Sequence, residues 1–229
     1  MNIILITLGI IFAYLVGSFS SAVWLGRWLR NTDVREFGSK NAGTTNTIRV
    51  LGLKIGMLVF FIDVFKGWIA VFIGLLLFSP CGLKEYSDYY AITLSVAVVL
   101  GHIFPLYTKF KGGKGVATAL GVLIAIFPQT MVLVLSVWTL IFLCTRYVSL
   151  ASIFAAISFP FFYRFCFGGF GDGFCGFGEF ADGGSKSIVL LVFSILIAVF
   201  IPVMHHKNIK RLFNGTENRM SFKKKPEGN

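Results

Sequence analysis

Charge is what this chain lacks. Only 14% of its 229 residues are Asp, Glu, Lys or Arg, about half the share of an ordinary soluble domain. Acidic residues are the scarcer sign, 10 against 21 basic ones. Hydrophobic residues make up 56% of the chain, Phe alone contributes 26, and the mean hydropathy is +0.80. So little polar surface cannot clothe one or two water-soluble domains, which excludes a cytosolic globular enzyme and a disordered regulator. Cysteine is also sparse. Cys81, Cys144, Cys166 and Cys175 show no CxxC or Cys/His spacing, so neither a disulfide scaffold nor a metal site is expected. Cys166 and Cys175 can pair in an oxidising compartment, but nothing in the sequence requires it. The first apolar run, 2–25, has no basic flank before it and reads as a span, not as a cleavable signal.

What the chain has is long apolar runs, which point to an all-α integral membrane protein. Clear spans fall at 2–25, 56–78, 90–107 and 186–204. A further apolar stretch, 116–167, is broken by Pro128, by Arg146 with the serines after it, and by Pro160. The net charge of +11 suggests nucleic acid until its distribution is read. Arg27, Arg30, Arg35, Lys40, Arg49 and Lys54 crowd the loop 26–55; Lys109, Lys111 and Lys114 crowd the loop 108–115; the tail after Val203 is basic throughout. Loops 79–89 and 163–186 carry the opposing acids. The positive-inside rule places the basic loops in the cytoplasm, and no nucleic-acid partner is expected. The N-terminus is then outside, the C-terminus inside, and the number of crossings odd. Three crossings at 116–128, 130–144 and 150–166, the first two short, satisfy that parity. The expectation is a seven-transmembrane-helix bundle, one polytopic domain over 1–229, with no inverted repeat of the transporter kind.

Four polar clusters fall on the predicted cytoplasmic face. The first is Gly38-Ser39-Lys40-Asn41-Ala42-Gly43-Thr44-Thr45-Asn46, followed by Arg49. Short polar side chains and backbone amides suit an anion, and Arg49 adds a forked charge; the competing reading is a solvated turn. The second is Lys111-Gly112-Gly113-Lys114-Gly115, which opens into a helix at Val116. Glycines admit close approach, and a helix N-terminus favours an anion. The order is not that of a Walker A loop, and a flexible basic loop is the alternative. The third is the turn holding Ser149 and Ser152, where Ser149 is a candidate helix cap or a ligand-facing hydroxyl. The fourth is His205-His206-Lys207-Asn208, with His205 and Asn208 at i, i+3; it lacks the ligands of a metal site, and an interfacial lipid-binding tail is its alternative. Inside the second span, Asp63 and Lys66 form an i, i+3 pair expected to give structural support to the first cluster. His102 is read equally as a buried histidine.

These segments resemble the bacterial membrane glycerol-3-phosphate acyltransferases that use acyl phosphate, the PlsY family. The resemblance lies in GSKNAGTTNTIRVLG at 38–52, DVFKG at 63–67, GHIFPLYTKFKGGKGVAT at 101–118, RYVSLASI at 146–153 and HHKNIKRLFNGTENR at 205–219. They occur in family order over nearly the whole chain. Ala42 stands where the family often has Pro and His206 where it often has Arg, and the Gly- and Phe-rich loop 166–184 is atypical.

The resemblance implies a seven-helix enzyme of the bacterial cytoplasmic membrane, with its site facing the cytoplasm and membrane lipid around it. It would transfer an acyl group from acyl phosphate to glycerol 3-phosphate, the first step of phospholipid synthesis, with no cofactor. A functional link to the enzyme that makes acyl phosphate follows. Ser39, Arg49 and Lys114 would handle phosphate, with His205 beside them as a catalytic candidate. Asn41, Thr45, Asn46, Gly112, Gly113, Gly115, Ser149, Ser152 and Asn208 would bind substrate.

The residues add a chemical argument. An acyl phosphate is already activated, so the task is to position two phosphates that repel each other. No Ser/His/Asp set is evident, so no covalent acyl-enzyme is expected. A substrate phosphate is the favoured proton acceptor, with His205 as the rival. Thioester-dependent acyltransferases carry a His-x-x-x-x-Asp pair. Here the fifth residue after His102 is Tyr107, after His205 it is Lys210, and after His206 it is Arg211. None is acidic. An anion transporter would need polar residues along a path across the membrane, and an accessory lipid-binding protein would not explain the glycine loop.

Overall fold

The computed structural model describes residues 3–78, 87–167 and 188–220. Every regular element among the described residues is helical: α1 (Ile3–Ser18), α2 (Ser21–Arg30), α3 (Thr44–Leu51), α4 (Leu53–Phe78), α5 (Ser87–Ile103), α6 (Val116–Ile126), α7 (Pro128–Thr145), α8 (Val148–Phe167), α9 (Ile188–Met204) and α10 (His206–Phe213), with one 3-10 turn at Leu106–Thr108. Five stretches are long and apolar enough to cross a membrane: Ile3–Arg30, Leu53–Leu77, Asp88–Thr108, Pro128–Thr145 and Val148–Cys166. The bent pair α9 and α10 makes a sixth. The Gly- and Phe-rich loop, and with it Cys175 and any pairing to Cys166, lies outside the described residues.

Two differences from the sequence reading concern where helices form. Pro128 does not interrupt the chain between two short helices; it opens α7, where its missing N–H costs nothing. That gives α7 18 residues, about 27 Å at the helical rise, and leaves α6 alone as short, with 11. The second difference is α3. Thr44, Thr45, Asn46 and Arg49 lie on a helix, not in an irregular loop. Packing overrides its weak helix formers, because Ile48 sits against Gly56 of α4.

The chain divides into two compact units, Met1–Pro128 and Gln129–Asn229. In the first, α5 lies along α1, and α6 lies along α4. Gly67 of α4 faces the backbone of Thr118, and Gly121 of α6 faces that of Val64; a methyl group on either would collide with the opposing carbonyl. Small residues at such seams let backbones approach, which drives helix association where lipid already solvates apolar side chains. The core here is Ala13, Ala70, Val71, Leu94, Val98 and Val122, while Phe61, Phe65, Phe72 and Leu76 of α4 are exposed, as a lipid-facing surface requires. In the second unit α8 packs on α9, and α10 touches both.

Candidate functional site

In the first unit the polar residues begin where α1 breaks from α2. At the break the carbonyl of Phe19 accepts the Ser21 N–H at 3.2 Å and Lys66 Nζ at 2.8 Å. Lys66 also pairs with Asp63 at 2.8 Å, both side chains being almost wholly buried. Asp63 Oδ1 accepts from Ser21 Oγ at 2.8 Å and lies 3.7 Å from His102 Nδ1, while Thr118 Oγ1 is 3.1 Å from the same nitrogen. A carboxylate that answers one cation and one hydroxyl is a satisfied buried group. The pair therefore serves the α1–α2 break directly. Through His102 it also reaches the second polar cluster.

His102 ends α5, and the glycine loop folds onto that end. Gly112 N–H donates to the Ile103 carbonyl at 3.1 Å and Gly113 N–H to the His102 carbonyl at 3.3 Å. These amides are committed to the helix terminus, so the two glycines do not offer N–H groups to an anion. What they provide is room: a side chain on Gly113 would strike both the His102 ring and the carbonyl of Ala42. Ala42 belongs to the first cluster, so clusters one and two are in contact. Lys114 follows, half-buried, and Gly115, with φ +78°, starts α6.

The first cluster is shaped by Asn46. Its Nδ2 donates to the carbonyls of Val34 at 2.7 Å and Phe37 at 3.1 Å, and its Oδ1 accepts the Ser39 amide at 2.8 Å. Buried, with both Nδ2 hydrogens engaged, Asn46 folds the segment 34–39 and has no donor left for a substrate. Ser39 and Arg49 are exposed, and Asn41 and Thr45 are half-buried. A residue set that sequence reasoning passed over lies beside it. Asp33 accepts from Arg35 at 2.7 and 3.0 Å and from Arg27 at 3.0 Å, and Arg35 donates onward to the carbonyls of Thr108 and Lys111. The Arg35 guanidinium, more than burial opposes it, holds the Asp33 carboxyl well below the usual carboxylate range. Asp33 in turn raises Arg35.

The second unit holds clusters three and four, and it brings them together. Glu217, buried beyond the last helix, accepts Ser149 Oγ at 2.9 Å, Asn208 Nδ2 at 2.7 Å and Arg211 Nε at 2.6 Å. The tail also returns to the turn before α8 through Met220 N–H to the Arg146 carbonyl at 2.8 Å and Arg219 Nε to Tyr147 Oη at 3.2 Å. Burial alone would raise the Glu217 carboxyl. Hydrogen bonds from Arg211, Asn208 and Ser149 outweigh it and hold the group below its ordinary value. Ser149 therefore reaches for Glu217 and is not a helix cap. Ser152 is spent elsewhere, donating to the Val148 carbonyl at 2.9 Å and accepting from Trp138 Nε1 at 3.2 Å. Of the two serines, Ser149 is the one that joins Asn208. His205 is buried at the 59° bend between α9 and α10. Its Nδ1 lies 2.8 Å from the Ile201 carbonyl, which only accepts, so Nδ1 carries the proton. In the neutral ring Nε2 then holds the lone pair.

Set beside known proteins, the chain matches the family model described as glycerol-3-phosphate acyltransferase over residues 7–215. It is 44% identical over 218 residues to a glycerol-3-phosphate acyltransferase of Chlorobaculum parvum, covering 92% of this chain and 94% of that one. It is 39% identical to one of Fusobacterium nucleatum, covering 93% and 97%. Among solved structures it is similar to PlsY, an integral membrane glycerol 3-phosphate acyltransferase. The glycerol 3-phosphate form gives a TM-score of 0.76 at 38% identity, covering 94% of this chain and 96% of that one. The lysophosphatidic acid form gives 0.73 at 36% identity, covering 95% and 96%.

Proposed function

This chain belongs to the glycerol-3-phosphate acyltransferase family, and from that premise we propose that it transfers a fatty acyl group from acyl phosphate to glycerol 3-phosphate. The products are 1-acyl-glycerol 3-phosphate and inorganic phosphate, the first step of phospholipid synthesis. The observation that carries the reading is the packing of the Ser39 loop on the Lys114 loop, with Ala42 against Gly113. That contact gathers Ser39 and Lys114 on adjoining segments, as two anionic substrates require.

The hydroxyl oxygen of glycerol 3-phosphate attacks the acyl carbon. A new C–O bond forms, the bond from that carbon to the phosphate oxygen breaks, and phosphate leaves with its electron pair. Lys114 and Arg49 offset the repulsion between the two phosphates, and Ser39 orients one of them. The hydroxyl proton passes to a phosphate oxygen of a substrate. The His205 tautomer supports a second reading, in which Nε2 takes that proton. Asn208 and Ser149, whose side chains Glu217 fixes in the second unit, bind glycerol phosphate on this reading.

The same reading takes the chain across the bacterial cytoplasmic membrane seven times, by α1 with α2, then α4 to α9. The N-terminus lies outside and the basic loops in the cytoplasm, in accord with the bias of Lys and Arg. The test is an assay of the purified protein with labelled glycerol 3-phosphate and acyl phosphate. Lysophosphatidate and phosphate in equal amounts are expected, and no lysophosphatidate under conditions that support a related enzyme would overturn the reading.

A further inference from the structure

Building on the reading that Ser39 and Lys114 serve phosphate groups, we propose that Arg35 is a positioning residue that braces the Ser39 loop against the Lys114 loop. Its guanidinium stands where the two segments meet. Nε and Nη2 donate to the two carboxylate oxygens of Asp33 at 3.0 and 2.7 Å, a fork meeting a fork. Nη1 donates to the carbonyls of Thr108 at 3.0 Å and Lys111 at 3.1 Å, and Lys111 is three residues from Lys114. Asp33 is itself held from other sides, by Arg27 Nη2 and by the Arg35 backbone amide, both at 3.0 Å.

The brace reaches Ser39 as well. Val34, between Asp33 and Arg35, gives its carbonyl to Asn46, whose Oδ1 takes the Ser39 amide. One side chain therefore links the turn that carries Ser39 to the turn that carries Lys114. The second turn needs holding. Lys109 and Phe110 are consecutive non-glycine residues in the left-handed region, with φ of 58° and 57°, a conformation that persists only where its surroundings impose it. A planar guanidinium can serve a carboxylate and two carbonyls together, whereas a lysine ammonium cannot cover that spread. The Arg35 side chain is 19% exposed and spends Nη1 on uncharged loop carbonyls. Its effect is on where Lys114 stands, not on the reacting atoms.

The test uses the full-length protein purified in detergent, as wild type, Arg35→Lys, Arg35→Ala and Lys114→Ala. Steady-state kinetics are measured beside limited trypsin cleavage after Lys109 and Lys111, a readout that needs no activity. The expected loss in kcat/KM is about 100-fold for Arg35→Lys, the scale of an ångström-level misplacement of a reacting group. Cleavage in the loop should quicken about tenfold, with cleavage after Lys54 unchanged, because only local opening is released. Guanidinium ion should restore part of the Arg35→Ala rate and none of the Lys114→Ala rate. Wild-type kcat/KM and wild-type cleavage in Arg35→Lys would overturn the brace. If Arg35→Ala does not fold, Arg35→Lys carries the decision. Should the wild type make no lysophosphatidate, the proposed function fails while the cleavage comparison still judges the brace.

Discussion

Replacing Asp63 with alanine is expected to cost folded protein, not only activity. The carboxylate is 1% exposed and holds Lys66 and Ser21 at 2.8 Å each. Without it the Lys66 ammonium keeps, among the described residues, one neutral partner, the Phe19 carbonyl, and its side chain is only 5% exposed. Removing one partner of a buried pair costs about 3–5 kcal/mol, and the stranded Ser21 hydroxyl adds about 1 kcal/mol. That sum is a large part of the ~5–15 kcal/mol that separates folded from unfolded states. Unfolding by denaturant titration in mixed micelles, followed by tryptophan fluorescence, measures it. The double variant Asp63→Leu with Lys66→Met separates the unpaired charge from the lost shape. It should recover most of the deficit, since an apolar replacement of a whole buried pair is often near neutral. If Asp63→Ala unfolds within about 1 kcal/mol of wild type yet is inactive, the supporting role is wrong and Asp63 belongs to the chemistry.

Lys114→Ala should lower kcat/KM at least about 100-fold, as expected when a charge facing a phosphate is lost, with unchanged helical content by circular dichroism; near-normal turnover would remove Lys114 from the site. Gly113→Ala should impair turnover severely, because the methyl group would displace the loop from His102 and Ala42; wild-type kinetics would show that the loop tolerates the shift. Glu217 is held below its unfolded value of about 4.5, so its contribution to stability is fully present above that pH and is lost as pH falls through the lower folded value. Thermal unfolding against pH should therefore show a steeper acid loss for wild type than for Glu217→Gln, and parallel curves would contradict the Glu217 hub.

The apolar runs, the three basic loops and the i, i+3 pair of Asp63 and Lys66 were all legible in the sequence, because each is a local pattern of hydropathy or spacing. Contacts that join distant segments were not. Arg35 meets Thr108 and Lys111 at separations of 73 and 76 residues, and in the sequence it is one more cytoplasmic charge. Ser149 and Ser152 share a helix face by spacing alone; their partners tell them apart, Glu217, 68 residues away, for Ser149 and Trp138 for Ser152. Asn46 looked like a ligand because an amide in a small polar run has unmet donors. The fold meets them with its own carbonyls. The helix α3 was hidden by β-branched and polar residues that favour no helix until Ile48 packs on Gly56.

In the proposed reaction the donor's leaving group is a phosphate. The most direct measurement supplies purified protein with labelled glycerol 3-phosphate and, in parallel, acyl phosphate, acyl-CoA or acyl carrier protein bearing the same chain. Lysophosphatidate should form from acyl phosphate alone, since among the described residues no acid stands five after a histidine to serve a thioester donor. Transfer from acyl-CoA as fast as from acyl phosphate would contradict it.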